Sequence, residues 1–279
     1  MKPFLKWAGG KRQLLDKIVP LLPDFTDYHE PFLGGGSLYF HLQPTFSILS
    51  DLNKELINCY HNVQCNVENV IDVLDNWENT HETFEKVRGM DRDADWSLVR
   101  DVVKAARFIF LNRTCYNGLY RVNKNGQFNV PYGKYKTRKP VNYELLRNCS
   151  ERLSLNPTIL FSAGYNHRLP DTLNHNSFVY FDPPYLPLSD TSNFTSYTQF
   201  PFEQKEHTEL ALYVKRLTER GVKCMVSNCD HPFIRNLYKD FNIHTVEAKR
   251  NINCVASKRK PITELIITNY ETNRKCKSF

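Results

Sequence analysis

Residues His29–Phe40 read HEPFLGGGSLYF. A short strand candidate, Asp27–Phe32, runs into three consecutive glycines, and a helix start follows at Ser37. Glycine at such a turn lets the backbone bend tightly and lets a ligand lie over the strand end. The chain continues through a second strand candidate, Phe46–Ser50, which delivers a carboxylate, Asp51, 16 residues beyond Gly35. Strand, glycine turn, helix, strand, acid is the grammar of a βαβ unit in a parallel sheet. The spacing is close to the roughly 20 residues expected where an acidic side chain receives the hydroxyls of a ribose. The dinucleotide fingerprint G-x-G-x-x-G is missing, and nothing after the third glycine provides a phosphate-cradling helix start. A nucleoside ligand without a pyrophosphate suits the stretch better, and S-adenosylmethionine is such a ligand.

Two further stretches flank this unit. Upstream, FLKWAGGKRQLL (Phe4–Leu15) places Lys11 after Gly9-Gly10 and at the start of a helix candidate, Lys11–Leu22. Anions bind well at such a place, although a plain structural turn would look the same and the P-loop pattern is absent. Downstream, FVYFDPPYLPLSD (Phe178–Asp190) ends an apolar strand, Ser177–Phe181, on Asp182 and follows it with Pro183 and Pro184. Two prolines remove two backbone donors and hold the chain extended, so a carboxylate and bare carbonyls face the site together. That pair of acceptors suits an exocyclic amine with two hydrogens to donate, and Tyr185 is placed to stack on the ring bearing it. The rest of the last third returns to strand and helix, with strands at Lys223–Ser227 and Glu264–Asn269 and a helix at Phe202–Arg220.

Between these pieces the middle of the chain is mostly helical, with apolar positions at helical spacing over 54–77 and 98–112. Residues 51–95 carry eleven Asp and Glu against four Lys and Arg, whereas residues 100–150 carry eleven Lys and Arg against two acids. The basic tract is interleaved with Tyr116, Tyr120, Phe128, Tyr132 and Tyr135. Cations combined with stacking surfaces are what nucleic acid requires. Within it, 119–135 reads as a β-hairpin in which Asn125-Gly126 forms a type I′ turn and Lys124 stands at the tip. The expected organisation is an α/β catalytic domain built from 1–55 and 146–279 and interrupted by a recognition insertion, 56–145. A basic segment, Lys249–Pro261, reads either as a loop over a nucleic-acid backbone or as a solvated linker.

Composition limits the alternatives. Of 279 residues, 41% are hydrophobic, enough for one full core. No run reaches the roughly 18–20 apolar residues of a membrane span and no signal-peptide pattern opens the chain, so an intracellular, soluble protein is expected. The eight cysteines show neither a C-x-x-C pair nor zinc-like histidine spacing, so reduced thiols and no metal are expected.

With these residues in view, the chain resembles the DNA adenine-N6 methyltransferases of the Dam type over almost its entire length. FLKWAGGK resembles the family's first cofactor motif, EPFLGGGS its E-P-F-x-G-x-G motif, SDLN its ribose-binding acid and DPPY its catalytic motif, in the family's order. YNGLYRVNKNGQFNVPYGKYK resembles the recognition hairpin. The resemblance implies a Rossmann-like, S-adenosylmethionine-dependent α/β domain with an inserted, mostly helical DNA-recognition domain. It implies that Trp7, Lys11, Phe32, Gly34, Gly36, Asp51 and Asp182 surround the cofactor, and that Asp182, Pro183 and Tyr185 act on the target base. Arg121 is expected to read a guanine edge, with Tyr116, Asn117, Leu119, Lys124, Pro131 and Lys134 against the opened duplex. Where members from GATC restriction systems often show G-D-F, this chain has Ala163-Gly164-Tyr165-Asn166, and Tyr165 is assigned to the cofactor's adenine pocket. The implied reaction is methylation of adenine N6 in double-stranded GATC by a monomer, with a cognate GATC restriction endonuclease as a genetic partner. Phe194 or Tyr197 is expected to stack on the flipped base beside Tyr185.

Three other readings use some of the same features. An N4-cytosine methyltransferase shares the amine chemistry but usually has Ser in place of Asp182. An RNA methyltransferase would need single-strand readout, whereas the hairpin favours a major groove. A DNA-binding regulator descended from a methylase would have lost the D-P-P-Y motif, which is intact.

Overall fold

The computed structural model describes residues 1–166, 173–186, 202–248 and 262–272. Its strands form one seven-stranded sheet: β1 (Asp27–Glu30), β2 (Ser47–Asp51), β3 (Thr158–Ser162), β4 (Ser177–Phe181), β5 (Lys223–Cys229), β6 (Asn242–Ala248) and β7 (Ile262–Thr268). The spatial order is β3-β2-β1-β4-β5-β7-β6. β1 to β5 pair in parallel, and β7 runs antiparallel to both β5 and β6. Strand order reverses between β1 and β4, which makes the crevice above their carboxyl ends the topological switch point where ligands bind in open α/β sheets.

β4 shows how the layers form. All five of its residues are buried, and successive side chains point to opposite faces. Phe178 and Tyr180 join one core with Tyr28, Leu49 and Tyr60, while Val179 and Phe181 join a second with Leu210, Val214 and Ile234. A strand covered on both sides reads as a continuous apolar run, which is what its sequence shows.

Eight helices among the described residues accompany the sheet: α1 (Leu15–Ile18), α2 (Ser37–Leu42), α3 (Lys54–Asp75), α4 (His81–Gly89), α5 (Asp101–Thr114), α6 (Tyr143–Leu155), α7 (Gln204–Glu219) and α8 (Pro232–Leu237). Side chains cap several: Asn53 accepts from the Leu56 amide at 3.1 Å, Thr80 from Thr83 at 3.1 Å and Asn142 from Leu145 at 2.9 Å. The single helix expected over Lys11–Leu22 is instead α1 between two 3₁₀ turns, Lys11–Leu14 and Val19–Leu21. Pro20 has no amide hydrogen for an α-helical bond, so the chain continues as a 3₁₀ turn. β3 and β6 escaped the sequence reading: both lie at sheet edges, β3 has only five residues, and β6 mixes apolar residues with the polar Asn242, His244, Thr245 and Glu247. No described helix is long and apolar enough to cross a membrane.

The core on the α3 side is continuous from the sheet through α3 and α5 into the region of residues 119–135, where Phe128 and Val130 are buried. That region is a hairpin, held by bridges at Cys115–Tyr132 and Val122–Phe128. Its turn is not type I′. The Gly126 amide donates to the Asn123 carbonyl at 2.9 Å and the Asn123 amide to the Gln127 carbonyl at 2.8 Å. Only Gly126 has a positive φ, +76°, while Asn125 does not. The loop is therefore three residues, Lys124 to Gly126, closed by a left-handed glycine. The Asn123 side chain imposes it by accepting from the amides of Asn125 and Gln127 at 2.9 and 3.0 Å.

A buried carboxylate fixes this hairpin to the helices. Asp91 accepts the Phe128 amide at 2.8 Å and the Arg107 guanidinium at 2.6 Å, while Arg92 reaches the Phe128 carbonyl at 2.8 Å. Both Asp91 and Arg107 are almost wholly enclosed. Removing one partner of such a pair leaves a buried charge uncompensated. Asp91→Ala is expected to destabilise the fold by about 3 kcal/mol, measured as a lower urea midpoint at constant slope.

Candidate active site

β1 and β4 are hydrogen-bonded neighbours in parallel register, with Asp27 opposite Ser177 and His29 opposite Val179. Their carboxyl ends therefore release two segments side by side: the glycine turn after Glu30, and Asp182 after Phe181. β2, on the other side of β1, contributes Asp51. Above these ends lies a cavity of about 860 Å³. Trp7, Lys11, Phe32, Gly34, Gly36, Asp51, Tyr165, Asp182, Pro183 and Tyr185, drawn from five separate parts of the sequence, all line it.

The glycine turn requires its glycines. Gly34 and Gly36 are left-handed, with φ of +48° and +62°. A Cβ on Gly34 would stand 2.7 Å from the Trp7 ring, and one on Gly36 would stand 2.9 Å from the Tyr60 hydroxyl. Asp51 splints the turn: one oxygen accepts the Gly34 amide at 3.0 Å, and the other accepts the Asn53 amide at 2.9 Å. Each oxygen keeps a second lone pair for a ligand hydroxyl. On another part of the wall, Tyr165 stacks on Phe32 with centroids 5.6 Å apart, and Phe202 meets the Phe32 ring edge-on at 5.8 Å. These rings pack on one another as an apolar, aromatic section of the wall.

Lys11 links the two halves of the cavity. Its ammonium lies 2.7 Å from the Asp182 carboxylate and donates to the Gly9 carbonyl at 2.8 Å. It also faces the Tyr185 ring, 4.5 Å from the centroid. Burial pushes Asp182 up to about 6, although the Lys11 charge pulls the other way. Burial pushes Glu30 further, to about 8, against the hydrogen bond that Tyr28 donates to it at 2.8 Å. Glu30 therefore carries its proton at neutral pH. Six lining residues are carboxylic acids (Glu30, Asp51, Asp182, Glu206, Glu209 and Glu264) and Lys11 is the one lysine or arginine among those described. The cavity is an environment for a cation.

Four of these acids, Glu30, Glu206, Glu209 and Glu264, lack a role in the sequence reading. Glu30 was visible within the E-P-F motif. Glu264 had no local signal, because only the pairing of β7 with β5 brings it to Tyr185, whose hydroxyl donates to it at 2.6 Å. Glu206 closes a capping box with Glu203 at the start of α7, and the sequence alone gives no hint that this end borders the cavity.

The residues assigned to DNA lie outside the cavity lining, on the hairpin and the turn before it. Tyr116 is exposed, its amide bonded to the Pro131 carbonyl at 2.8 Å. Asn117 and Lys134 are both left-handed, and the Tyr135 hydroxyl accepts the Asn117 amide at 3.1 Å. Leu119 is packed against the core, while Lys124 is exposed on the loop. Arg121 is exposed but not loose: Nε donates to the Asn129 side chain at 2.7 Å and one terminal nitrogen to the Asn129 carbonyl at 2.9 Å. Next to it, Tyr120 stacks on Trp7 at 5.8 Å and 21° between planes. The hairpin thus abuts the cavity wall through one ring pair. Phe194, Tyr197 and Lys249–Pro261 lie outside the described residues.

Residues 7–252 match the family described as D12 class N6 adenine-specific DNA methyltransferase. The chain is 45% identical to the Type II methyltransferase M1.LlaDCHI of Lactococcus lactis subsp. cremoris, over 97% of this chain and 96% of that protein. It is 44% identical to the Type II methyltransferase M.MjaIII of Methanocaldococcus jannaschii, over 97% and 99%. To the DNA adenine methylase of Vibrio cholerae serotype O1 it is 34% identical, over 95% of both. A switch-point cavity with the D-P-P-Y acid beside a glycine turn, and matches that run nearly end to end, place this chain in the D12 class of N6 adenine-specific DNA methyltransferases.

Proposed function

We propose that this methyltransferase acts on the adenine of GATC in duplex DNA, after that base has been rotated out of the stack. The observation that carries the reading is Asp182: a carboxylate fixed at the end of β4, inside the acidic cavity, followed by a proline with no amide hydrogen. Adenine N6 is a weak nucleophile because its lone pair is delocalised into the ring. The Asp182 carboxylate and the Pro183 carbonyl would accept its two hydrogens and favour the pyramidal nitrogen that attacks. Such preorganised acceptors, together with positioning, supply most of the rate enhancement in this type of chemistry. Tyr185 would stack on the extruded base, whose unstacking costs a few kcal/mol.

The cavity suits S-adenosylmethionine, which supplies an electrophilic methyl group on a cationic sulfonium. Five carboxylates besides the protonated Glu30 surround one ammonium, which favours a ligand bearing positive charge. Asp51 would receive the ribose hydroxyls, the backbone of Gly34 and Gly36 would lie under the ligand, and the aromatic wall of Tyr165 and Phe32 would take the adenine against it. Trp7 would close the side facing the hairpin.

Residues 56–145 would form the recognition unit. Arg121 has five N–H donors, and Asn129 engages two of them. The free donors of its terminal nitrogens suffice for a two-pronged contact with a guanine edge. Tyr116, Asn117, Leu119, Lys124, Pro131 and Lys134 would meet the opened duplex and its phosphates. The names of the two Type II relatives favour a cognate restriction endonuclease as a genetic partner, and the chain would act as a monomer.

The reading is tested by expressing the chain in a cell without adenine methylation and mapping N6-methyladenine by sequencing. Methylation confined to GATC is expected with the wild type and none with Asp182→Ala; protection of GATC by that variant would remove Asp182 from the chemistry. Arg121→Ala should lose about 1–3 kcal/mol of discrimination at one base pair of the site, measured as the ratio of kcat/KM on cognate and singly altered duplexes.

The raised pKa of Asp182 has a definite sign. The ionised carboxylate is the stronger acceptor, so the single-turnover rate should fall as pH drops below about 6. The folded pKa lies above the ordinary carboxylate value, so this group's contribution to stability is full in acid and lost as pH rises through about 6. Protonating Asp182 therefore does not promote unfolding, and the loss of rate should precede any loss of structure. Lys11→Met should move the midpoint of the pH–rate profile upward, because the Lys11 charge holds the pKa down.

A further inference from the structure

Glu264 is the least explained acid in the cavity. It stands on β7, opposite Cys229 of β5 and Val246 of β6. Among the described residues no lysine or arginine forms an ion pair with it. One of its oxygens accepts the Tyr185 hydroxyl at 2.6 Å, the length of a charge-assisted hydrogen bond. Its contact is with the D-P-P-Y tyrosine itself, which ties it to the segment that carries Asp182.

The bond acts on the orientation of a ring. Tyr185 follows Pro183 and Pro184, which restrain its backbone, but its side chain can still turn about two bonds. Lys11 lies against the ring, and Glu264 holds its tip. Through Tyr185 the contact reaches Lys11 and hence Asp182. We propose that Glu264 is a positioning residue for methyl transfer: by holding the Tyr185 hydroxyl it fixes the plane on which the extruded adenine stacks, and with it the reach of N6 toward Asp182. This inference rests on the base-flipping reading above, in which Tyr185 touches the target base and Glu264 does not.

The test compares wild type, Glu264→Ala, Glu264→Gln, Tyr185→Phe and the Glu264→Ala/Tyr185→Phe double variant. Single-turnover rates are measured on a GATC duplex with labelled S-adenosylmethionine. Fluorescence is read on the same duplex with 2-aminopurine replacing the target adenine. Losing a hydrogen bond to a charged group corresponds to about tenfold in rate, so Glu264→Ala and Tyr185→Phe should each slow methyl transfer by about that factor. The double variant should be no slower than the worse single variant, because both remove the same contact. Glu264→Gln keeps an acceptor oxygen and should recover most of the rate. Bound 2-aminopurine should be brighter in both single variants, because its stacking partner is no longer held flat. A wild-type rate in Glu264→Ala would overturn the proposal, as would losses that multiply in the double variant or unchanged fluorescence. If Glu264→Ala does not fold, Tyr185→Phe and its combination with Glu264→Gln decide by the same criterion: an added loss in the combination overturns it. A wild-type chain that fails to methylate adenine would instead remove the function on which the inference stands.

Discussion

One ammonium among carboxylates sets the character of this molecule. Lys11 is pressed against Asp182 inside a cavity whose other lining acids outnumber it, and burial makes the charges of Glu30, Asp51 and Asp182 expensive. Glu30 responds by keeping its proton, Asp51 by accepting two backbone amides, and Asp182 by pairing with Lys11. The remaining negative field is a standing preference for a cationic ligand, and it persists only while the strand ends hold these groups close together.

The sheet supplies that proximity. Inserting β4 beside β1 brings residues about 150 apart in sequence into hydrogen-bonded register. The glycine turn and the Asp182 segment then share one crevice. The helices do a second job. α3 leaves the cavity at Asn53, packs on the sheet and reaches α5, so the hairpin over 119–135 is built on the same core as the strands that border the cavity. Asp91 and Arg107 clamp the hairpin to that core, and the Tyr120–Trp7 stack joins its wall to the wall of the cavity. The cavity and the hairpin are thus mechanically adjacent.

Local chemistry in the sequence was sufficient for much of this. Three glycines after a strand, an acid ending the next strand, and two prolines after Asp182 each constrain the backbone within a few residues, so HEPFLGGGSLYF, SDLN and FDPPY identified the α/β class and seven residues that line the cavity: Phe32, Gly34, Gly36, Asp51, Asp182, Pro183 and Tyr185. Apolar spacing likewise located α3, α5 and α7, and the Asn-Gly pair located the hairpin. What the sequence reading missed was in part local detail and in part pairing across the sheet. The turn at Asn123–Gln127 is dictated by a side chain that caps it, Pro20 divides a periodic helix, and the edge strands β3 and β6 pair with the sheet on one side only.

The tertiary structure alone decided which charges meet. Lys11 and Asp182 are 171 positions apart, and Tyr185 and Glu264 are 79 apart. Neither contact has a local signature, because an ion pair or a hydrogen bond depends on distance and burial, not on sequence order. Sequence determined which residue types stand at the strand ends; the order of the strands determined that one lysine, one tyrosine and a group of acids would face a single cavity.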